Sequence, residues 1–380
     1  MTESSLPVAV WVSSFAAGGT ERQMVNLIRG LDPTLFAVHA ACFEARGPWL
    51  DAAAERAVSI AEFSIHGFAR PATWRQVAAY ARWCRRQRIA AVITSDFYTN
   101  VFGLTGAAMA GVPVRIAGRR EINTDKTIPK LLLQRGAYAL SQRIVANSRA
   151  AAARLRREGV RADKVRVVSN GVTMPNAIAP RVPASMTRAI VVANLRPEKG
   201  HDVLIDAMAA RPELRRLQLD FAGDGPCRAN LEARARRRGV ADRISFLGER
   251  GDIPALLDRA HLFILPSRTE ALPNSVMEAM AAGLPVVASR TGGICELIDD
   301  RVTGILVPPG DAGALADAIV RTIADPVRAA ALGAEARLTI SARFGMSGMV
   351  SGFTDILLAE LHRRDVTLSS HLPVPASGRR

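Results

Sequence analysis

No apolar run in this 380-residue chain is long enough to span a bilayer, which excludes a transmembrane helix at the level of sequence. Cysteine is scarce. Cys42, Cys84, Cys227 and Cys295 stand far apart with no C-x-x-C pair, so neither a zinc ribbon nor a disulfide framework is expected. Six histidines (His39, His66, His201, His261, His362 and His371) form no metal-ligand spacing, and no Asp-x-Asp occurs. Aromatic residues make up only 5%, without the basic–aromatic interleaving of RNA-binding sheets. The first residues, MTESSLPVAVWVSS, carry an acid and no basic stretch, so no signal peptide is expected and a reducing cytoplasm is the default.

What is present points to two packed cores. The length suggests two domains, and 49% hydrophobic residues suffice for both. The net charge of +15 is uneven. Residues 1–180 hold 24 Lys/Arg against 12 Asp/Glu, while residues 181–380 hold 26 against 23. The first half therefore either meets an anionic partner (a membrane surface, a phosphorylated lipid or a nucleic acid) or carries a charge set by a G+C-rich genome.

Along the first half, β-branched runs alternate with helical periods. Strands are expected at 8–14, 37–43, 89–95, 112–118, 143–148 and 165–172. Helices are expected at 22–31, 48–57, 72–88 and 99–111. Continuous apolar strands interleaved with helices imply a parallel sheet covered on both faces. The proline-bearing, aperiodic stretch that follows reads as a linker over 175–188. The alternation then restarts. Strands are expected at 189–195, 217–223, 243–249, 261–267, 285–290 and 304–309, and helices at 201–210, 227–239, 311–325, 326–344 and 346–364. Residues 365–380 are expected to be a disordered tail. Two doubly wound α/β units, with ligands at the carboxyl ends of their strands, imply a cleft between them.

The stretch TEALPNSVMEAMAAGLPVVAS (269–289) carries two glutamates, Glu270 and Glu278, around a helix start. Pro273, Asn274 and Ser275 suit a first helical turn that follows a buried strand. The free N–H groups and positive dipole end of that helix make an anion site. Glu278, about one turn inside, is placed to accept two hydrogen bonds from a ribose diol, and Glu270 to accept from a sugar. Both can equally be solvated charges. Gly223 and Gly225 in FAGDGP allow close backbone approach to a ligand, or form a plain turn.

These pieces recur together in an order that resembles the fourth family of retaining glycosyltransferases, of the GT-B fold. Its signature E-x7-E appears as Glu270 and Glu278, followed by AMAAGLPVVAS. SNGV (169–172), RPEKG (196–200), FAGDGP (221–226), FLGE (246–249), TGGICELI (291–298) and TGILVPPGD (303–311) complete the pattern, as does FAAGGTER (15–22) near the start. The resemblance covers essentially the whole chain. It implies an α/β GT-B fold: two Rossmann-like doubly wound domains, with acceptor bound by residues 1–174, donor bound by 189–345, and a helix at 346–364 returning to the first domain.

The resemblance also implies roles. Lys199 and Glu270, with Arg196, are the candidate catalytic residues; Lys199 supplies a cation for the leaving diphosphate. Gly18, Gly19, Asn194, Gly223, Gly225, Phe246, Leu247, Ala271, Leu272, Pro273, Asn274, Ser275 and Glu278 are candidate donor contacts. The family's arginine five residues before the lysine is replaced by Asn194, and Arg196 stands nearer. The histidine that many members carry in the first domain is missing. Asp96, Arg119, Arg120 and Glu121 take those places as candidate acceptor contacts, with Asp96 equally a helix cap. His201 reads as a capping-loop residue rather than a base. No metal or other cofactor is expected, and the glutamates are not a glycosidase pair.

Two basic regions remain. The helix over 72–88 carries Arg82, Arg85, Arg86 and Arg88 with Trp74 and Trp83, and reads as a peripheral membrane contact or as a solvated helix with buried tryptophans. The second, 119–135, reads as a loop with Arg119, Arg120, Lys126, Lys130 and Arg135. The expected activity is transfer of a hexosyl unit from a nucleotide-diphosphate sugar to a lipid-linked or polysaccharide acceptor, in the cytoplasm or at the inner membrane face. Nucleic acid is not an expected partner, and oligomeric state is not legible. A nucleotide-sugar 2-epimerase and a noncatalytic nucleotide- or nucleic-acid-binding protein are the competing readings.

Overall fold

The computed structural model describes residues 5–65, 67, 70–122, 127–177 and 187–366. The chain divides into two compact units. One comprises Met1–Asn147, Ala151–Ser169 and Met346–Arg380, the other Ser148–Ala150 and Asn170–Gly345. Most of the linker expected at 175–188, and nearly all of the tail expected at 365–380, lie outside the described residues.

The first unit contains β1 (Leu6–Ser14), α1 (Gly19–Gly30), β2 (Phe36–Glu44), α2 (Leu50–Ala54), β3 (Ser59–Glu62), α3 (Pro71–Arg86), β4 (Ala91–Ile93), α4 (Phe97–Ala110), β5 (Val114–Arg119), α5 (Ile128–Leu140), β6 (Arg143–Ala146), α6 (Arg149–Arg157) and β7 (Val165–Val167). Its seven strands run parallel in the order β3-β2-β1-β4-β5-β6-β7. Alternation along β1 builds the two faces. Val8, Val10 and Val12 enter one core, and Ala9 and Trp11 enter the other. Trp11 is fully buried among Phe43, Phe63, Tyr80 and Phe102. Gly103 and Gly106 open the space: a Cβ would lie 2.8 Å from the Trp11 ring at one position and 2.5 Å from Tyr80 at the other. Periodicity alone did not reveal β3, α5 or α6. Residues 128–135, expected as part of a loop, form the first turns of α5, started by Pro129 in its first turn.

The second unit contains β8 (Thr187–Val192), α7 (His201–Ala210), β9 (Leu217–Ala222), α8 (Arg228–Arg237), β10 (Ile244–Gly248), α9 (Ile253–Arg259), β11 (Leu262–Leu265), α10 (Asn274–Ala281), β12 (Val286–Ser289), α11 (Ile294–Leu297), β13 (Ile305–Val307), α12 (Ala312–Ala324) and α13 (Pro326–Arg343). Six parallel strands follow the order β10-β9-β8-β11-β12-β13. Their apolar residues, such as Ala189–Val191, Leu219, Phe221, Leu262–Leu265 and Val286–Ala288, enter one core. The last helix, α14 (Met346–His362), packs with the first unit. Met349, Phe353, Leu357 and Leu361 recur on one face and enter the core of β1 and α1. Burying each contributes roughly 1.5–3 kcal/mol over exposure.

In both sheets the strand order reverses beside the first strand of the unit, between β1 and β4 and between β8 and β11. Such reversals splay the connecting loops apart at the carboxyl edge and leave room there for a ligand. The residues singled out in the sequence sit at these two edges.

Candidate active site

In the second unit, the chain leaves β8 through a turn at Pro197–Lys199 and leaves β11 through residues 266–273. Because β8 and β11 are neighbours, the two loops meet. Lys199 Nζ lies 2.7 Å from Glu270 Oε1. Ser267 Oγ donates to the same oxygen at 2.8 Å. Both bonds fall on Oε1, leaving Oε2 without a partner among the described residues. Glu270 is 8% exposed and the Lys199 side chain 23%, so the pair is shielded from bulk water yet reachable from it. A charge-assisted bond in such a setting is stronger than its exposed counterpart, and an ammonium keeps further N–H donors for a second acceptor.

Helix α10 starts at the same edge. Pro273 precedes it in extended conformation and makes no side-chain cap bond. Asn274, Ser275 and Glu278 are partly exposed, while Val276, Met277, Ala279 and Met280 are buried. Asn170 Nδ2 donates to Asn274 Oδ1 at 2.7 Å and to Leu272 O at 3.3 Å, fixing the entry to the helix. Ala271 and Leu272 are buried against the turn after β12. Gly293 donates its N–H to Glu270 O, and a Cβ there would sit 1.8 Å from Ala271 O.

The other loops close the rim. Gly223 and Gly225 follow β9 with φ of +147° and +158°, and Cβ atoms there would meet Ala193 O at 2.1 Å and Leu195 O at 2.6 Å. Their immediate requirement is thus close packing of one loop on another. Leu195 N donates to Asp224 O, and Gly223 N to Gly248 O, so the loops after β8, β9 and β10 form one hydrogen-bonded rim. Phe246 stands edge-on to Phe221 at 5.2 Å, and Arg228 Nη2 donates to Phe246 O at 3.1 Å. Leu247 is partly exposed beside them, and Asn194 and Arg196 are exposed at the β8 exit.

In the first unit, residues from the ends of β1, β4 and β5 gather around a cavity of about 70 Å³. Thr20, Asp96, Phe97, Gly118, Arg119, Arg120, Glu121 and Gln134 line it. Asp96 caps α4: its carboxylate accepts from Thr99 N at 3.0 Å and Thr99 Oγ1 accepts from Asp96 N at 2.9 Å, a reciprocal capping box. Ser13 Oγ donates to its other oxygen at 2.7 Å. Arg120 is drawn to Asp96 and Glu21, although burial pushes its guanidinium down to about 10. Burial raises the Glu21 carboxyl, and nearby Asp96 adds to the rise. Gly18 lies against Glu21: a Cβ there would sit 2.0 Å from Glu21 Oε2, so a larger residue would displace that carboxylate. Arg119 is only 1% exposed and is held by Glu158 through both terminal nitrogens (3.2 and 2.9 Å), with Nε donating to Glu121 O. Its guanidinium therefore serves as a structural ion pair at the cavity wall.

Two expectations need correction. His201 does not cap a loop: Gly200 occupies the cap of α7, and His201 is 1% exposed with its ring edge-on to Phe221 at 4.8 Å. Neither ring nitrogen has a hydrogen-bond partner among the described residues. Burial, then nearby Lys199, pushes its imidazole down to about 4. On α3, expected in one reading to be a solvated helix with buried tryptophans, Trp83 is buried at 6% exposure but Trp74 is 49% exposed, and Arg82, Arg85 and Arg86 are exposed. Sequence reading missed Ser13, Glu21, Asn170, Asp202, Ser267 and Arg268. Glu21, Asn170, Ser267 and Arg268 lie in stretches that carry the resemblance, FAAGGTER, SNGV and LPSRTEALPNS (265–275), but without a role of their own; Ser13 and Asp202 are set by proximity in the fold.

Among the described residues, no group of three His, Cys, Asp or Glu side chains is placed to hold a metal, and no helix is long and apolar enough to cross a membrane. Residues 17–174 match the family described as Glycosyltransferase Family 4, and residues 187–325 match Glycosyl transferases group 1. The chain is 39% identical over 163 residues to a GDP-mannose-dependent alpha-(1-6)-phosphatidylinositol monomannoside mannosyltransferase of Mycolicibacterium smegmatis, an alignment spanning 39% of this chain and 41% of that one. It is 37% identical over 140 residues to the alpha-D-kanosaminyltransferase of Streptomyces kanamyceticus, spanning 36% of each. The chain thus matches less than half the length of these curated relatives. Among solved structures, Anabaena HepE in complex with UDP and glucose superposes with a TM-score of 0.81 at 23% identity, covering 93% of this chain and 99% of that one. The sucrose-phosphate synthase of Thermosynechococcus elongatus also gives 0.81, at 20% identity, over 94% and 100%. With both parallel sheets matched across nearly the full chain and two family matches that follow each other along it, the chain belongs to the group 1 and family 4 glycosyltransferases and has the GT-B fold.

Proposed function

We propose that the chain is a retaining, metal-independent glycosyltransferase that moves a hexosyl unit from a nucleotide-diphosphate sugar to a lipid-linked or polysaccharide acceptor. The observation that carries this reading is the Lys199–Glu270 pair at 2.7 Å, at the same strand edge as the start of α10. A cation and a helix dipole at one strand edge suit a pyrophosphate, whose charge grows as the sugar C–O bond breaks. In this reading Lys199, with Arg196, stabilises the leaving diphosphate, and Glu270 Oε2 accepts from the sugar hydroxyls. The N–H groups of Ala271, Leu272, Asn274 and Ser275 bind phosphate oxygens while Pro273 shapes the loop between them, Glu278 holds the ribose diol, and Phe246 and Leu247 border the base. Gly18 and Gly19 remain proposed donor contacts. Asp96, Arg120 and Glu121 contact the acceptor. We leave Arg119 out, because Glu158 occupies it.

The reaction is a front-face displacement. The bond from the anomeric carbon to the phosphate oxygen breaks, a bond from that carbon to the acceptor oxygen forms, and the acceptor proton passes to the departing phosphate oxygen. The protein positions and neutralises; it needs no general base of its own. The named relatives support the substrate class: one is GDP-mannose-dependent and acts on a phosphatidylinositol mannoside, and HepE was solved with UDP and glucose.

We further propose contact with an anionic membrane through the first unit, in a cytoplasmic setting. On α5, Ile128, Leu132 and Leu133 are 74%, 62% and 41% exposed, interspersed with Lys130 and Arg135. The test is a panel of uridine- and guanosine-linked sugars with lipid-linked and glycan acceptors, read by mass and by anomeric configuration, with and without EDTA. Transfer with retention and full activity in EDTA is expected. A free epimerised sugar made without acceptor, or no use of any donor, would overturn the reading.

A further inference from the structure

The ammonium of Lys199 is carried on a single turn of 3-10 helix, too short to hold a long side chain in place by itself. What holds that turn is Arg268, two residues before Glu270. Its Nη1 and Nη2 donate to Asp202 Oδ1 and Oδ2, both at 2.8 Å, a bidentate pair to the first turn of α7. Nη1 also donates to Pro197 O at 2.8 Å, and the Arg268 backbone N–H donates to Glu198 O at 2.8 Å. Thr291 Oγ1 donates to Arg268 O at 3.1 Å, tying the same residue to the loop after β12. Gly200 ends the turn at φ +68°, where a Cβ would lie 2.1 Å from Pro266 O. The Lys199 turn and the Glu270 loop are therefore seated on each other on both sides of the reactive pair.

Resting on the functional reading above, we propose that Arg268 and Asp202 are positioning residues for Lys199. They act as a two-pronged clamp that sets the ammonium against Glu270 and the phosphate site, without touching the donor. Three guanidinium contacts, two to Asp202 and one to Pro197 O, turn its terminal nitrogens toward the Lys199 turn. Asp202 holds the charge in register: its carboxyl lies below the usual range chiefly because Arg268 donates to it. A point cation misplaced by about 1 Å loses much of its stabilisation of a developing charge, so the clamp acts on turnover more than on ground-state binding. Lysine at 268 cannot reproduce the fork.

The experiment is a double-mutant cycle of Arg268→Gln with Lys199→Ala, repeated with Asp202→Asn, on full-length protein well below its melting temperature and normalised to folded protein. If Arg268 works through Lys199, R268Q lowers kcat about tenfold with donor KM within about threefold, and changes kcat less than about twofold when Lys199 is already alanine. R268K should recover only part of the loss. The inference is overturned if R268Q keeps wild-type kcat, or if the loss is the same in both backgrounds, as a general loss of stability would give. Binding of UDP and GDP to the same variants provides a second reading of the cycle. A wild-type protein that binds neither and transfers no sugar removes the functional reading and this inference with it, whereas an active wild type with an additive cycle removes this inference alone.

Discussion

Replacing His201 by leucine should flatten the acid limb of the protein's stability curve. His201 is buried with no hydrogen-bond partner among the described residues, and its folded-state value of about 4 lies below its ordinary 6.5. A depressed imidazole favours the neutral form, so the unfolded chain takes up a proton that the folded chain refuses. The stability tied to this group is fully present above about pH 6.5, declines as the pH falls, and is gone near pH 4. At about 1.36 kcal/mol per pH unit, the gap amounts to roughly 3 kcal/mol in all and to about 2 kcal/mol between pH 7 and pH 5. Urea unfolding at pH 7, 6 and 5, followed by far-UV circular dichroism, measures it as a change in midpoint at constant slope. The wild type should lose about 2 kcal/mol more than His201→Leu over that range, while carboxylates that titrate in both proteins cancel. Tryptophan fluorescence reads the other unit, since Trp11, Trp49, Trp74 and Trp83 all lie there. Equal pH slopes in the two proteins would refute the argument and place a proton acceptor or a water beside the ring.

Asp96→Ala should lower stability by about 1–2 kcal/mol through loss of the α4 capping box and the Ser13 bond, seen as a lower melting temperature. Glu158→Ala strips Arg119 of its bidentate partner and should cost about 3–5 kcal/mol, because a buried cation is left unpaired; a loss below about 1 kcal/mol would show that the pair is hydrated. Glu278→Gln should raise the Kd for a nucleoside diphosphate by about tenfold, measured by calorimetry, while leaving the affinity for inorganic pyrophosphate unchanged.

The alternating β-branched and helical stretches were legible because burial on both faces of a parallel sheet writes itself into each strand separately. The start of α10 at Pro273–Asn274 was legible for the same local reason, since a first helical turn selects its own residues. Short or edge elements were not: β3 and α6 are too brief for their periodicity to stand out, and α5 follows a basic stretch that reads as loop. Residue type and position gave Asp96 its capping role, and the resemblance singled out Lys199 and Glu270, but nothing in the sequence said that those two would touch each other.

Sequence by itself determined the α/β alternation, the helix starts and the turns that need glycine, because those follow from neighbours within a few residues along the chain. Only the tertiary structure decided the partnerships. Strand order puts β8 beside β11, and that alone brings Lys199 to Glu270 across 71 residues and Arg268 to Asp202 across 66. It also gave Arg119 to Glu158 and buried His201 against Phe221, because side-chain charge and hydrogen bonding are settled by what the fold brings within about 3 Å.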